Sequence, residues 1–337
     1  MTRAILGLDV GGANLKAATP DGRAAGVPFA LWKQPDRLPA ALAELISQFP
    51  DAGELAVTMT GELCDCFETK RDGVLAILDA VEHAAAGRPV RVWGTGGGFL
   101  GVAASRGEHM AVAAANWHAL ATFVSRWVPD GPGLLLDIGS TTSDLIPLRD
   151  GRPDPTGRTD EDRLASWELV YTGVGRTPVC AVAGEPVAAE LFATTRDVYQ
   201  VLGLIPDAPD DRDTADGRPA TRAFAHARLC RMLCGDPTTV DAGQVRRLAA
   251  GVAAQQVDIL AERLDSVAFA GPRATTGPLM AVLGGSGEFL GRMVLDRLTP
   301  DAVRSRLSLA DRLGPAVSAC APAFAVAVLA SERPCPV

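Results

Sequence analysis

Aromatic residues are scarce in this chain, 5% of 337 residues with only two tyrosines, so its core has to be built mainly from alanine, valine and leucine. Basic runs are absent as well. No stretch of lysine and arginine is long enough to form a patch, and the net charge is −8. Nucleic acid and anionic membrane are therefore poor partners. No apolar run approaches the roughly 20 residues that a membrane span requires. The opening MTRAILGLDV lacks the charged region, long apolar segment and cleavage site of a secretory signal. Seven cysteines form an odd, scattered set, which suits free thiols in a reducing compartment better than a disulfide framework. The expectation is a soluble cytoplasmic protein, and a homo-oligomer is compatible with it.

What the chain does have is apolar residues, 47% against 21% charged. At about 150 residues per domain, its length makes room for two domains with substantial cores. Two stretches nearly repeat one another, LGLDVGGANLKAAT at 6–19 and LLLDIGSTTSDLIPL at 134–148. Each reads as a strand, an Asp-x-Gly turn of small residues, and a return strand. The two lie about one domain's length apart. This points to a duplicated α/β fold with one lobe over 1–130, a second over 131–337, and a cleft between them. WGTGGGFLG in the first half and LGGSGEFLG in the second make a further echo. Apolar spacing predicts helices at about 36–49, 71–85, 113–128, 222–234, 241–263 and 314–330. The charged, Pro- and Gly-rich stretch 204–221 reads as a long loop inserted in the second lobe.

A turn lined by small residues exposes backbone N–H groups that can wrap phosphate oxygens. Glycine serves where a ligand must come near or φ must be positive. Ser140, Thr141, Thr142 and Ser143 add hydroxyls, Asn14 an amide, and Lys16 a positive charge. Asp9 and Asp137, each at a strand end, can hold Mg²⁺ directly or through water. One such turn alone is equally an ordinary hairpin. Two copies in register favour a phosphate clamp.

The order of two Asp-x-Gly hairpins followed by a strand running into Gly-Gly-Ser-Gly resembles the superfamily of actin, Hsp70 chaperones and sugar kinases. The resemblance implies a duplicated actin-like ATPase (ribonuclease H-like) fold. It also implies Asp9, Gly11, Gly12, Asp137, Gly139, Ser140 and Thr141 at phosphates and metal, with Gly284, Gly285, Ser286 and Gly287 as a late ligand loop. A closer likeness spans almost the whole chain. VPFALWK, LAVTMTGELCDCF, AAANWHALA, ELVYTGVGRTPVC, AAELFATTRDVY and DTADGRPATRA, together with the two hairpins and LGGSGEFL, resemble one branch of the hydantoinase/oxoprolinase-like group. That branch is linked to tetrahydromethanopterin-dependent one-carbon metabolism. The resemblance implies a methanofuran-biosynthesis transferase with Mg²⁺ as cofactor and two small-molecule substrates. A furylmethyl diphosphate would be joined to a glutamyl-tyramine or tyrosine-type phenol, forming an ether and releasing diphosphate. An ATP-dependent small-molecule kinase or a hydantoinase-like amidohydrolase of the same fold is the alternative, and a non-catalytic nucleotide-gated module is a third reading.

A phenol, with a reference pKa of about 10, needs a base before it attacks. Glu62, Asp144, His118, Glu288, and Asp213 or Asp216 are the candidates. Each has a bland counterpart: His118 as a core histidine, Glu62 as a surface acid, the 211–216 aspartates as a solvated loop rather than a lid. Arg218 and Arg222 can grip phosphate or a carboxylate. Cys64 and Cys66 would face opposite sides of a strand, and Cys230 and Cys234 lack further ligands nearby, so no zinc site is assigned.

Overall fold

The computed structural model describes residues 4–333. The chain divides into two compact units. Unit 1 takes the chain up to Gly133, then Leu148–Asp162, and the chain from Leu307 onward; unit 2 takes Leu134–Pro147 and Arg163–Arg306.

Unit 1 is built on six strands, β1 (Ala4–Val10), β2 (Asn14–Ala18), β3 (Ala24–Pro28), β4 (Ala52–Met59), β5 (Val90–Gly94) and β6 (Gly98–Gly101). Their order in the sheet is β3-β2-β1-β4-β5-β6. β1 runs antiparallel to β2 and parallel to β4. Successive side chains of a strand face opposite sides, and here each side has its own cover. Leu6, Leu8 and Val10 pack with Leu15, Ala17, Leu55, Val57 and Met59 against the helices Leu38–Ser47 and Lys70–Ala85. On the other side a Cβ at Gly7 would lie 1.9 Å from the Ala323 carbonyl oxygen. Only glycine lets the C-terminal helix Ala321–Glu332 lie that close to β1. Asp9, two residues on, belongs to this second face.

Unit 2 repeats the opening device. β7 (Pro132–Ile138) is followed by β8 (Ser143–Arg149), to which the short strand β10 (Leu169–Val170) pairs, while the end of β8 and its partner β9 (Arg152–Pro153) fall in the Leu148–Asp162 stretch of unit 1. β11 (Leu279–Gly284) and β12 (Val303–Ser308) complete the order β10-β8-β7-β11-β12. Leu134, Leu136 and Ile138 meet Ala281 and Leu283 in a core closed by Val198, Leu229, Val252 and Leu260. The last four come from the helices Thr195–Leu202, Arg222–Met232 and Ala242–Asp265. A capping box at Asp241 and Gln244 starts the longest of these. No helix among the described residues is long and apolar enough to cross a membrane.

The duplicated α/β architecture expected from the twin hairpins, actin-like as the resemblance implied, is what the two sheets display. Four expectations are corrected. The lobe boundary near residue 130 marks only the first crossing, because the chain from Leu307 onward returns to unit 1 and lays its last helix on β1. The echo WGTGGGFLG is a hairpin, β5 to β6, reversed at Gly97 with φ +82°, whereas LGGSGEFLG passes from strand β11 into the helix Glu288–Leu295. Like glycine words fold differently because they diverge within themselves: Gly98–Gly101 pairs back on β5 in one, whereas Glu288 opens a helix in the other. The helix expected at 314–330 is two helices, Pro315–Ala319 and Ala321–Glu332, broken at Cys320. Cys64 and Cys66 lie on a turn after β4 rather than in a strand.

Candidate functional site

Turn 1 joins β1 to β2 within unit 1. Gly11 N–H closes it on the Asn14 carbonyl at 3.0 Å. Two further carbonyls are drawn to a neighbouring segment: Leu31 N–H donates to Gly12 O at 2.9 Å and Phe29 N–H to Ala13 O at 2.9 Å. In a trans peptide the N–H points opposite to the C=O. The N–H groups of Ala13 and Asn14 therefore point away from residues 29–31, and no acceptor among the described residues takes them. Little space remains behind the loop. A Cβ at Gly11 would sit 2.9 Å from the Asn14 carbonyl oxygen, and one at Gly12 would sit 2.8 Å from Cys64 Sγ.

Asp9 lies opposite Lys16 in the β1–β2 register and opposite Thr58 in the β1–β4 register. It is 5% exposed, and Thr58 is fully buried. Asp9 Oδ1 and Thr58 Oγ1 both lack a hydrogen-bond partner. Burial raises the Asp9 pKa, and the Lys16 charge works against that rise. Protein interiors rarely leave polar atoms without a partner, and here two such atoms stand side by side. Asn14 is exposed at the start of β2.

Turn 2 joins β7 to β8 within unit 2 and uses the same device. Gly139 N–H closes on the Thr142 carbonyl at 2.8 Å. Val174 N–H donates to Gly139 O at 3.0 Å, while Gly175 and Arg176 N–H both donate to Ser140 O, at 2.9 and 2.8 Å. The N–H groups of Ser140 and Thr141 consequently face away from the 173–176 segment, again with no acceptor among the described residues. Paired outward N–H groups of this kind form an anion-binding nest. The clasp requires glycine: a Cβ at Gly173 would come within 2.5 to 2.6 Å of Gly139 O, Ser140 C and Thr141 N.

The late glycine turn meets turn 2. Gly287 N–H donates to Ile138 O at 2.8 Å, and Gly285, at φ +80°, would bring a Cβ to 2.1 Å from that oxygen and 2.7 Å from Asp137 Oδ1. Gly284 ends β11 and Ser286 is exposed. Asp137, Gly139–Thr142 and Gly284–Gly287 thus lie together within unit 2.

The base candidates separate sharply. Asp144 is ion-paired with the buried Arg163. Glu288 pairs with Arg292 at 2.6 Å, Asp213 with Arg176 at 3.4 Å, and Asp216 with the buried Arg228 at 3.0 Å. His118 Nδ1 accepts from Trp93 Nε1 at 3.3 Å, the arrangement of a structural histidine. Glu62 differs from all of these. It is 1% exposed, its Oε2 has no hydrogen-bond partner, and burial pushes its pKa up to about 7. The 204–221 loop is pinned rather than loose, since Asp211 also pairs with Arg196 at 2.7 Å. Arg222 donates from Nε to Gln200 O at 3.1 Å, and Arg218 lies near Asp216 and over the Phe224 ring. Both arginines, expected to grip an anion, are exposed.

Sequence reasoning missed the two clasps, residues 29–31 and 173–176, and it missed Thr58. VPFALWK and TGVGRT stood out only as words, because nothing local says that their N–H groups reach a distant turn. The Gly-x-Gly at 173–175 was the one available signal.

Residues 54–333 match the family described as hydantoinase/oxoprolinase. The chain is 33% identical to (4-{4-[2-(gamma-L-glutamylamino)ethyl]phenoxymethyl}furan-2-yl)methanamine synthase of Methanocaldococcus jannaschii, over 98% of this chain and 98% of that one. Among solved structures, a nucleotide-free acetone carboxylase aligns with TM-score 0.54 at 13% identity, covering 96% of this chain and 70% of the other. A PilM–PilN type IV pilus biogenesis complex aligns with TM-score 0.51 at 13% identity and 99% coverage of both chains. At those identities the structural likeness speaks for the fold alone.

Proposed function

The chain belongs to the hydantoinase/oxoprolinase family, and from that premise we propose that it is a transferase of methanofuran-type one-carbon-carrier biosynthesis. It joins an aminomethylfuran-methyl diphosphate to a glutamyl-tyramine or tyrosine-type phenol, forming an ether and releasing diphosphate. The observation that carries this reading is the 33% identity, end to end, with a synthase named for such an ether. The nests of turns 1 and 2 support it, because a diphosphate is the anion such donors hold.

The implied metal is Mg²⁺, and the residues present fit it. The described residues contain no group of three or more acidic, histidine or cysteine side chains suited to a metal. Mg²⁺ does not require one, since it usually takes one or two carboxylates and fills its shell with water and substrate phosphate oxygens. Asp9 in unit 1, with its orphaned buried oxygen, and Asp137 in unit 2 are the two carboxylates we put forward for it, each at its own turn. When bound, the ion offsets charge on the departing diphosphate.

The chain's own groups account for the rest. The phenol proton passes to the Glu62 carboxylate. The phenolic oxygen bonds to the furylmethyl carbon as that carbon's bond to the diphosphate oxygen breaks, and the electron pair leaves with diphosphate. The N–H pair of Ala13 and Asn14, with Lys16, in unit 1 and the N–H pair of Ser140 and Thr141 in unit 2 are the donors that each turn offers to oxygens on which charge gathers. A base with pKa about 7 is well matched to work near neutrality. Asp144, held by Arg163, anchors the start of β8.

The test incubates purified protein with Mg²⁺, the furylmethyl diphosphate and the phenol, with and without ATP. Pyrophosphate and the ether are expected in equal amounts without ATP. ADP formation as a condition of turnover would overturn the reading in favour of an ATP-dependent kinase or amidohydrolase.

A further inference from the structure

Behind turn 2 lies a buried polar network that the proposed reaction does not use directly. The Gly173 carbonyl accepts three hydrogen bonds: from Gln256 Nε2 at 2.9 Å, from Thr195 Oγ1 at 2.8 Å, and from Thr177 Oγ1 at 3.3 Å. Its N–H donates to Thr177 Oγ1 at 2.9 Å. Gln256 Nε2 also donates to Thr172 Oγ1 at 2.8 Å, and Ser143 Oγ, at the start of β8, donates to the Thr172 carbonyl at 2.7 Å. The orientation of the Gln256 amide is set by Tyr199, whose hydroxyl donates to Oε1 at 2.5 Å and so turns Nε2 toward Gly173. Gln256, Tyr199 and Thr195 are fully buried.

Such a network is costly to bury and rigid once satisfied. Its targets here are the two peptide groups that flank the Gly173 Cα. A Cβ at Gly173 would fall on the Gly139–Thr141 backbone, and the next three N–H groups pull the Gly139 and Ser140 carbonyls inward. Wherever the Gly173 peptide sits, the outward direction of the Ser140 and Thr141 N–H groups is set with it. Two helices contribute: Thr195 and Tyr199 from Thr195–Leu202, and Gln256 from the middle of Ala242–Asp265.

We propose that Gln256, oriented by Tyr199, is a positioning residue that fixes the turn 2 nest for the diphosphate through the Gly173 peptide. The inference rests on the diphosphate reading above. Gln256→Glu keeps the volume and the acceptor for Tyr199 but places an oxygen against the Gly173 carbonyl. Tyr199→Phe keeps the ring against Phe289, at 4.9 Å between centroids, and removes only the hydroxyl.

The experiment measures Mg²⁺-pyrophosphate binding by calorimetry and the KM for each substrate, in the full chain. For Gln256→Glu we expect pyrophosphate affinity to fall about tenfold or more, the scale of a lost buried hydrogen bond. The KM for the diphosphate rises with it and the KM for the phenol stays unchanged. Tyr199→Phe gives a smaller loss with the same selectivity, and it serves as the test if the Gln256 variant does not fold. Equal rises in both KM values, or pyrophosphate affinity within twofold of wild type in a folded variant, overturn the inference. Failure of the wild type itself to bind pyrophosphate overturns the diphosphate reading and this inference together, so the two failures are distinguishable.

Discussion

Turns 1 and 2 share a backbone and differ in everything hung on it. Both close with an N–H to the carbonyl three residues on, and both have two consecutive carbonyls tied back by a second segment. The tied pair is Gly12 and Ala13 in turn 1 but Gly139 and Ser140 in turn 2, one position earlier in the repeat. Turn 1 adds charge: a buried, unpartnered Asp9 between Lys16 and Thr58. Turn 2 adds hydroxyls and a clasp braced from two helices. The difference teaches that the outward N–H pair is the repeated element, and that the side chains around it have diverged, a buried carboxylate and a lysine in unit 1 and hydroxyls in unit 2.

The comparison breaks most visibly at the aspartates. Asp9→Asn and Asp137→Asn should each lower turnover by about a thousandfold or more, the loss of several kcal/mol of charge stabilisation. Their stabilities should part company. The Asp9 pKa is raised, so its folded form favours the proton, and stability is lost as pH rises past the ordinary carboxylate range. Asparagine removes that loss, so the melting temperature of Asp9→Asn should rise at pH 8. Asp137 is only half-buried, so asparagine there should not reproduce the rise in melting temperature at pH 8. Near-normal rates in both variants would remove the aspartates from the mechanism.

Glu62 has no counterpart among the candidate acids of unit 2, all of which are paired with arginines. Glu62→Gln should cut kcat by about a hundred- to ten-thousandfold. The wild-type kcat should show an acid limb near pH 7 that the variant lacks. Stability gives a second readout with a definite sign. The folded pKa of about 7 exceeds the reference 4.5, so the contribution is fully present below pH 4.5 and is lost as pH rises through 7. The drop is on the order of 3 kcal/mol for a group so buried. Urea titrations at pH 5 and 8 should differ by less in Glu62→Gln than in wild type, and an equal difference in both would sink the raised pKa.

Next in size is the clasp. Gly173→Ala forces a methyl group into the turn 2 backbone, which side-chain rearrangement cannot relieve. The expected cost is about 2 kcal/mol of stability, with pyrophosphate affinity down about tenfold. Unchanged pyrophosphate affinity in a folded variant would show that the clasp does not shape the nest.

These predictions divide into what the sequence disclosed and what it could not. Asp9, Asp137 and the two glycine turns were legible because a hairpin is local: strand alternation, the Asp-x-Gly corner and the return strand all fall within about fifteen residues of chain. Gly284–Gly287 was legible by order. The helices Lys70–Ala85 and Ala242–Asp265 were legible from apolar spacing, with ends displaced by only a residue or two. Three things were not legible, each for a long-range reason. Gly173 touches Ser140 and Thr141 across a gap that sequence pattern does not span. Gln256 reads as an ordinary polar position on a long helix. The final helix is apolar all round, which says that it is buried but not that it returns to β1. The repeated glycine word at 93–101 and 283–291 shows the converse error, in which local likeness stood in for shared structure.

The smallest expected effect is the sharpest test of what turn 2 contributes. Ser140 lies at the centre of the nest, and by composition alone its hydroxyl would be the natural phosphate donor. The geometry assigns that role to its backbone. The Ser140 carbonyl is held by two N–H groups and its own N–H faces outward, whereas its Oγ stands 3.5 Å from the Thr141 hydroxyl, at the limit of a hydrogen bond. Ser140→Ala removes one hydroxyl and leaves every peptide group in place. Pyrophosphate affinity should therefore fall by no more than about threefold, well under the cost of a lost charge-assisted hydrogen bond. Ser140→Pro deletes the outward N–H itself and should weaken binding much more than alanine does. If alanine and proline at this position weaken pyrophosphate binding alike, the hydroxyl rather than the backbone is the donor. The likeness between the two turns would then end at the strands, because turn 1 has no hydroxyl to offer in its place.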